Sequence, residues 1–354
     1  MSVLQLRRDM VVVEEEPAVE IDKPFPLRTI DAGEELAEAT AITEIEHEEV
    51  DERPRRSLLQ ILRWWGNAAI AAVVLLAYPV AIVMGSNVGD DRLAGMVDRT
   101  KWTAPWAGGA ATLLENHFNG LGWAKDAPSW TPMARLTAKP AFQTAMAGSV
   151  GEFLMLQSRH AASSGESDPD LSVASRLVSV NSTAVQLRAA RDALVNYDRR
   201  MRRRSAAPVV QPAQLIEQLA LIDAWATTSQ AEVAAAASLG GGFVDQEATR
   251  SVYAAKGRAA AAYVFLEAMS WPGASKAAQA RTAALEAWRA AAQFHPLIVL
   301  NGSPDGSIFG NHAASMGFLV AQAQQATADF SAAIAAEPAP AAISANAAPA
   351  GAAK

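Results

Sequence analysis

Asn301, Asp305 and His312 are the densest group of polar side chains that could do chemistry in this chain. They fall in FHPLIVLNGSPDGSIFGNH, residues 294–312, where a short apolar run meets a cluster of turn-forming residues. Across such a turn Asn301 and His312 can converge with Asp305 beside them, and a neutral imidazole is a competent general base near neutral pH. The same residues can instead serve the turn itself, with Asn301 capping it and His312 satisfying buried backbone groups. No nucleophile lies beside a base at a recognised spacing.

A second concentration is cationic: Arg199, Arg200, Arg202, Arg203 and Arg204 place five arginines in six residues. At the carboxyl end of a helix they complement its dipole. They would also attract phosphate headgroups or another polyanion, which makes anionic-lipid binding their functional reading. The five histidines (His47, His117, His160, His295, His312) show no His-Glu-x-x-His pair, and there is no cysteine, so neither a metal site nor thiolate chemistry is expected. The glycines at 240–242 lack a following Gly-Lys-Ser/Thr. Gly148-Ser149-Val150-Gly151 misses the nucleophile elbow by one residue and has no strand before it. No cofactor is implied.

What positions these groups begins with residues 68–84, AAIAAVVLLAYPVAIVM, an uncharged run. With its flanks, residues 64–86 reach roughly the 20 residues that cross a bilayer as a helix. Trp64 and Trp65 suit the headgroup boundary. Arg53, Arg55, Arg56 and Arg63 precede the run, while Asp90 and Asp91 come first after it, so the positive-inside rule places the amino terminus in the cytoplasm. The run begins too far from Met1 for a cleaved signal, so a signal-anchor with the body outside is expected.

The net charge of −7 conceals an asymmetry. Residues 1–54 hold 16 Asp/Glu against 5 Lys/Arg, leaving the rest of the chain mildly basic. Rich in Glu, poor in aromatics and interrupted by Pro17, Pro24 and Pro26, residues 1–54 are expected to be a disordered cytoplasmic tail. Residues 336–354, Ala/Pro-rich, are expected to fray likewise.

Residues 89–335 read as all-α, a bundle of long helices packed antiparallel. Apolar spacing predicts helices over 110–118, 142–160, 168–204, 213–238, 245–269, 275–294 and 311–335. Asp168 should cap the third, with Pro169 in its first turn. Leu171, Ala174, Leu177, Val178, Val185, Leu194 and Val195 are assigned to one apolar face. Trp102, Trp106, Trp123 and Trp130, set among Pro and Gly, are expected to anchor an irregular segment in the core.

Several pieces together resemble a known family. Gly122-Trp123, residues 131–136 and 140–143, Asp168-Pro169-Asp170-Leu171, Pro296 to Gly302, Asn311-His312 and Met316-Gly317-Phe318 are similar to a bacterial domain-of-unknown-function family, number two-three-three-three. The similarity spans roughly residues 102–335, and Gly310 stands where that family's pattern has proline. The resemblance implies a single-pass protein of the bacterial inner membrane with a helical periplasmic body; it carries no agreed activity and transfers no catalytic residue. Taken together, the sequence points to a non-enzymatic envelope scaffold or adaptor with protein partners, without nucleic acid and of unspecified oligomeric state. The alternatives are an envelope-directed enzyme using Asn301 and His312, or an anionic-lipid binder using Arg199 to Arg204.

Overall fold

The structure is a computed structural model, which describes residues 57–86, 88, 93, 95–118, 122–129, 131–162, 167–179, 181–203, 211–239, 245–271, 275–296, 298–302 and 310–337. The expected tail at 1–54 lies outside these residues, as do Asp305, Arg204 and Trp130; of the tail expected at 336–354, Ala336 ends a helix that Glu337 caps, and 338–354 lie outside. The described residues are all helical apart from loops and one isolated bridge.

The chain divides at Arg63 into two compact units. Of the first, the described part is residues 57–63, which open helix α1 (Leu58–Ser86). This helix is long and apolar enough to cross a membrane. None of its most apolar window, Leu58–Ala77, is buried, and Leu75 and Leu76 are 72% and 70% exposed.

The second unit continues through α2 (Pro105–Phe118), two 3₁₀ turns (Ala124–Asp126 and Pro132–Arg135), α3 (Ala138–His160), α4 (Pro169–Leu177), α5 (Ala184–Arg202), α6 (Pro212–Ser238), α7 (Gln246–Ala268), α8 (Lys276–Gln293) and α9 (His312–Ala336). The starts follow local chemistry. Pro105, Pro169 and Pro212 occupy the first turn, where a missing N–H costs little. Asp168, Asp245, Ser275 and Asn311 each accept a backbone N–H of the turn they cap.

The helices expected over 110–118 and 142–160 begin earlier, at Pro105 and Ala138, and two larger expectations change. The helix expected over 168–204 is two helices, α4 and α5, separated at 178–183. Thr183 and Gln186 form a capping box that starts α5, and the Ser182 hydroxyl donates to Leu177 O at 2.6 Å, closing α4. The break re-phases the stripe: Val185, assigned to the apolar face, is 71% exposed, while Leu187, Ala190, Leu194, Tyr197 and Met201 point inward.

The second concerns α7, where helical spacing sets Val252, Tyr263, Leu266 and Met269 on one apolar stripe. It is instead the central helix, packed against α2, α3, α6, α8 and α9, and every residue from Ala259 to Leu266 is buried. A segment apolar all round, AAAAYVFL, suits only such a position. Small residues allow the approach: a Cβ on Gly257 would lie 2.3 Å from Phe142 O of α3. At the centre, Phe153 of α3 stacks on Phe265 of α7 with ring centroids 3.7 Å apart.

Candidate functional site

The 294–312 stretch folds back on itself through an antiparallel bridge between Asn301 and Asn311. The His312 amide donates to Leu300 O at 3.0 Å, and the Leu300 amide donates to His312 Nδ1 at 2.9 Å. An Nδ1 that accepts a backbone N–H carries no proton, so the ring is held neutral. Burial also holds the His312 pKa below its ordinary value, against a backbone contact at Ile298 that raises it.

Asn301 is 3% exposed. Its Nδ2 donates to Ala236 O at 3.0 Å and to Asp245 Oδ2 at 2.8 Å. Ala236 lies in the last turn of α6 and Asp245 caps α7, so Asn301 clamps one helix end to the next helix start. Asn311 extends the same arrangement, donating to Gly302 O at 2.9 Å and accepting from the Ala314 amide at 2.8 Å. The structure therefore brings Asn301 and His312 close, with their described hydrogen bonds made to backbone and to a helix cap. Among the described residues, Asn301 Oδ1 is buried without a partner.

The arginines do not form one free patch. Arg200 donates to Asp168 (2.7 and 3.0 Å) and Asp170 (2.7 Å), joining the carboxyl end of α5 to the amino end of α4. Arg202 donates to Asp198 Oδ2 at 2.7 Å and also to Lys101 O. Asp198, 3% exposed, accepts in turn from the Thr103 and Ala104 amides at the start of α2. Arg199 bonds its neighbour Asn196 at 3.0 Å, and Arg203 is exposed.

A further charged group sits at the carboxyl end of α7. Arg99 Nη2 and Arg281 Nη2 both donate to Glu267 O, at 2.7 and 2.9 Å, and Arg99 also reaches Ala268 O and Met269 O. Cations here complement the helix dipole. Burial, and then the charge of Arg99, hold the Arg281 pKa down to about 10; burial pushes Glu267 up against the pull of Arg281, Arg99 and Arg289.

Another pocket lies elsewhere. The ends of α2, α3, α5, α6 and α7 surround a cavity of about 140 Å³. Its walls are largely aromatic and aliphatic, with Trp106 and Tyr197 in contact (ring centroids 5.5 Å apart) and Phe265 and Leu215 alongside. Gln157 and His160 of α3 supply polar groups. His160 Nε2 lies 2.7 Å from Glu217 Oε2, whose carboxylate can only accept, so Nε2 carries the proton. Among the described residues, His160 Nδ1 and Gln157 Nε2 are buried without a hydrogen-bond partner.

Sequence reasoning passed over this site, although a signal existed. The buried stripe of α3 runs Phe142, Met146, Val150 and Phe153, and its next two positions at helical spacing are Gln157 and His160. Polar residues continuing a core stripe are the informative kind of exception.

No family model, no curated protein and no solved structure matches the chain.

Proposed function

We propose that this protein is a membrane-tethered, non-enzymatic adaptor. In this reading α1 crosses the bacterial inner membrane once. Residues 1–54 lie in the cytoplasm, and the helices from α2 onward form an antiparallel bundle in the periplasm that docks other envelope proteins. The observation that carries it is α1: over Leu58–Ala77 it is apolar enough to cross a membrane, with Arg63 its one charged residue there, and none of that stretch is buried. Left in water, that surface would be a large exposed apolar patch, which soluble monomers rarely tolerate. In a bilayer it satisfies every backbone group internally.

The adaptor half of the reading is supported by the roles of Asn301 and His312. Both are committed to hydrogen bonds that hold a turn and two helix ends. The resemblance noted for residues 102–335 implies the same placement.

The test is photocrosslinking in the membrane from single exposed sites on the body, Val185, Leu239 and Phe318. The adaptor reading expects discrete crosslinked species from at least one site in the full-length chain. Monomer alone from every site would reject it.

A further inference from the structure

A polar side chain within an apolar membrane-crossing helix faces lipid unless something covers it, so its position around the helix is informative. Between Trp64 and Met84 the chain holds two side chains with an amide or a hydroxyl, Asn67 and Tyr78. Being eleven residues apart, they fall within about 20° of each other at 3.6 residues per turn. Trp64, Asn67, Ala71, Val74 and Tyr78 follow one another at alternating steps of three and four. That is the 3.5-residue repeat by which two helices wind together.

Among the described residues nothing covers this stripe. Trp64, Asn67, Ala71 and Val74 are exposed, and the Asn67 carboxamide makes no hydrogen bond. In hydrocarbon an unpaired amide is costly, and a partner that pairs it is favoured. A carboxamide is complementary to itself, since its NH2 donates and its oxygen accepts. Every copy of the chain inserts in the same orientation, so two copies of α1 related by a two-fold axis bring the same stripe face to face at the same depth. One Asn67 on each chain then supplies both halves of the bond. Ala71, one turn on, is small enough to let the backbones approach.

We propose that α1 pairs with the α1 of a second copy of this chain through Trp64, Asn67, Ala71 and Val74, with the two Asn67 carboxamides hydrogen-bonded across the contact. The proposal rests on the reading of α1 as a membrane crossing. The charge beside the stripe is Arg63, four residues before Asn67. At the headgroup boundary its long side chain reaches water, where salt screens one guanidinium from the other. Pairing gives the adaptor two identical bodies on one side of the membrane, and so avidity for a partner that presents paired sites.

The chain has no cysteine, so single substitutions give a clean crosslinking scan of the full-length protein in cell membranes. Cysteine replaces each residue from Ala69 to Ala77 in turn, and the disulfide-linked fraction is read on a non-reducing gel after oxidation. Linked dimer is expected to peak at Ala71→Cys and Val74→Cys and to fall at Ala69→Cys, Ala72→Cys and Leu76→Cys, which lie on the far side of the helix. With Val74→Cys as reporter, Asn67→Leu should need roughly tenfold more expressed protein to reach the same linked fraction, and Asn67→Gln should not. Leucine favours insertion, so a loss seen with Asn67→Leu does not come from a lost crossing. Alkaline extraction of the same membranes separates the two readings. Release of the protein would overturn the crossing and the pair together. Protein that stays in the pellet overturns the pair alone if it links at no position, links equally all round the helix, or links at Val74→Cys undiminished by Asn67→Leu. A linked species of another mass in place of the dimer would do the same, assigning the stripe to a different protein's helix.

Discussion

Replacing Asn301 by alanine removes the clamp between α6 and α7, and its cost can be worked from the contacts. The bond to Ala236 O is neutral and contributes about 1 kcal/mol; the bond to the Asp245 carboxylate is charge-assisted and contributes about 2 kcal/mol. Removing the buried, unpartnered Oδ1 returns about 1 kcal/mol. The net loss is about 2 kcal/mol, equivalent to a fall in Tm of roughly 4–8 °C for a body of this size. The assay is thermal unfolding of the full-length protein in detergent, followed by circular dichroism.

Acidity supplies an internal control on that prediction. Hydrogen bonds from the Ala248 amide, then from Asn301, hold the Asp245 pKa below its ordinary value of 3.8. A carboxyl depressed by folding adds stability above its unfolded pKa, and that stability is lost as pH falls through the folded value. The difference in Tm between wild type and Asn301→Ala should therefore narrow below about pH 3.8. A difference under about 1 °C at neutral pH, or one that does not change with acid, would refute the reasoning.

Other consequences follow from the same contacts. Gly257→Ala should destabilise by about 1–3 kcal/mol despite alanine's better helix propensity, because its Cβ meets Phe142 O at 2.3 Å. Gly317→Ala, whose nearest contact is an ordinary 3.6 Å, should stabilise by up to about 1 kcal/mol; denaturant titration reads both. With its pKa lowered by burial, His312 contributes stability that is present above the unfolded value of 6.5 and is lost as pH falls from there towards the folded value. His312→Asn, which can still accept the Leu300 amide, should abolish that pH dependence with little loss at neutral pH, whereas His312→Leu should cost about 1–3 kcal/mol at any pH. Glu267 behaves oppositely: its raised pKa means a contribution that is full below the unfolded value of 4.5 and is lost as pH rises through the folded one. Glu267→Gln should flatten that loss in a melting series taken from acid to neutral pH.

The starts of α4, α6, α7, α8 and α9 were readable to within a residue because Pro, Asp, Ser and Asn each satisfy or forgo an orphan N–H at the end of the segment they begin; α2 and α3 start earlier than expected, at Pro105 and Ala138. The α4–α5 break was missed for a physical reason. Leu171, Ala174 and Leu177 hand over to Val185 and Leu194 at nearly continuous helical spacing, and this hid a Thr183-x-x-Gln186 capping box that was in plain view. The position of α7 was missed because alanine is ambiguous. A run of small residues reads as a weak stripe until its neighbours press on every side, as Phe142 and Met146 do around Gly257. In the 294–312 stretch the sequence places Asn301 and His312 on either side of one turn, and only the structure shows that Asn301 reaches back to Ala236 and Asp245, 65 and 56 residues away. The Gln157–His160 site needed five helix ends to be placed before it existed at all.

The central claim is that α1 holds this protein in a membrane, and alkaline carbonate extraction of cell membranes tests it most directly. Wild type should stay with the membrane pellet. Val74→Arg/Leu75→Arg should move to the supernatant, since two arginines near the middle of the helix each cost about 2.5–3.5 kcal/mol of insertion. Wild type released into the supernatant would contradict the account.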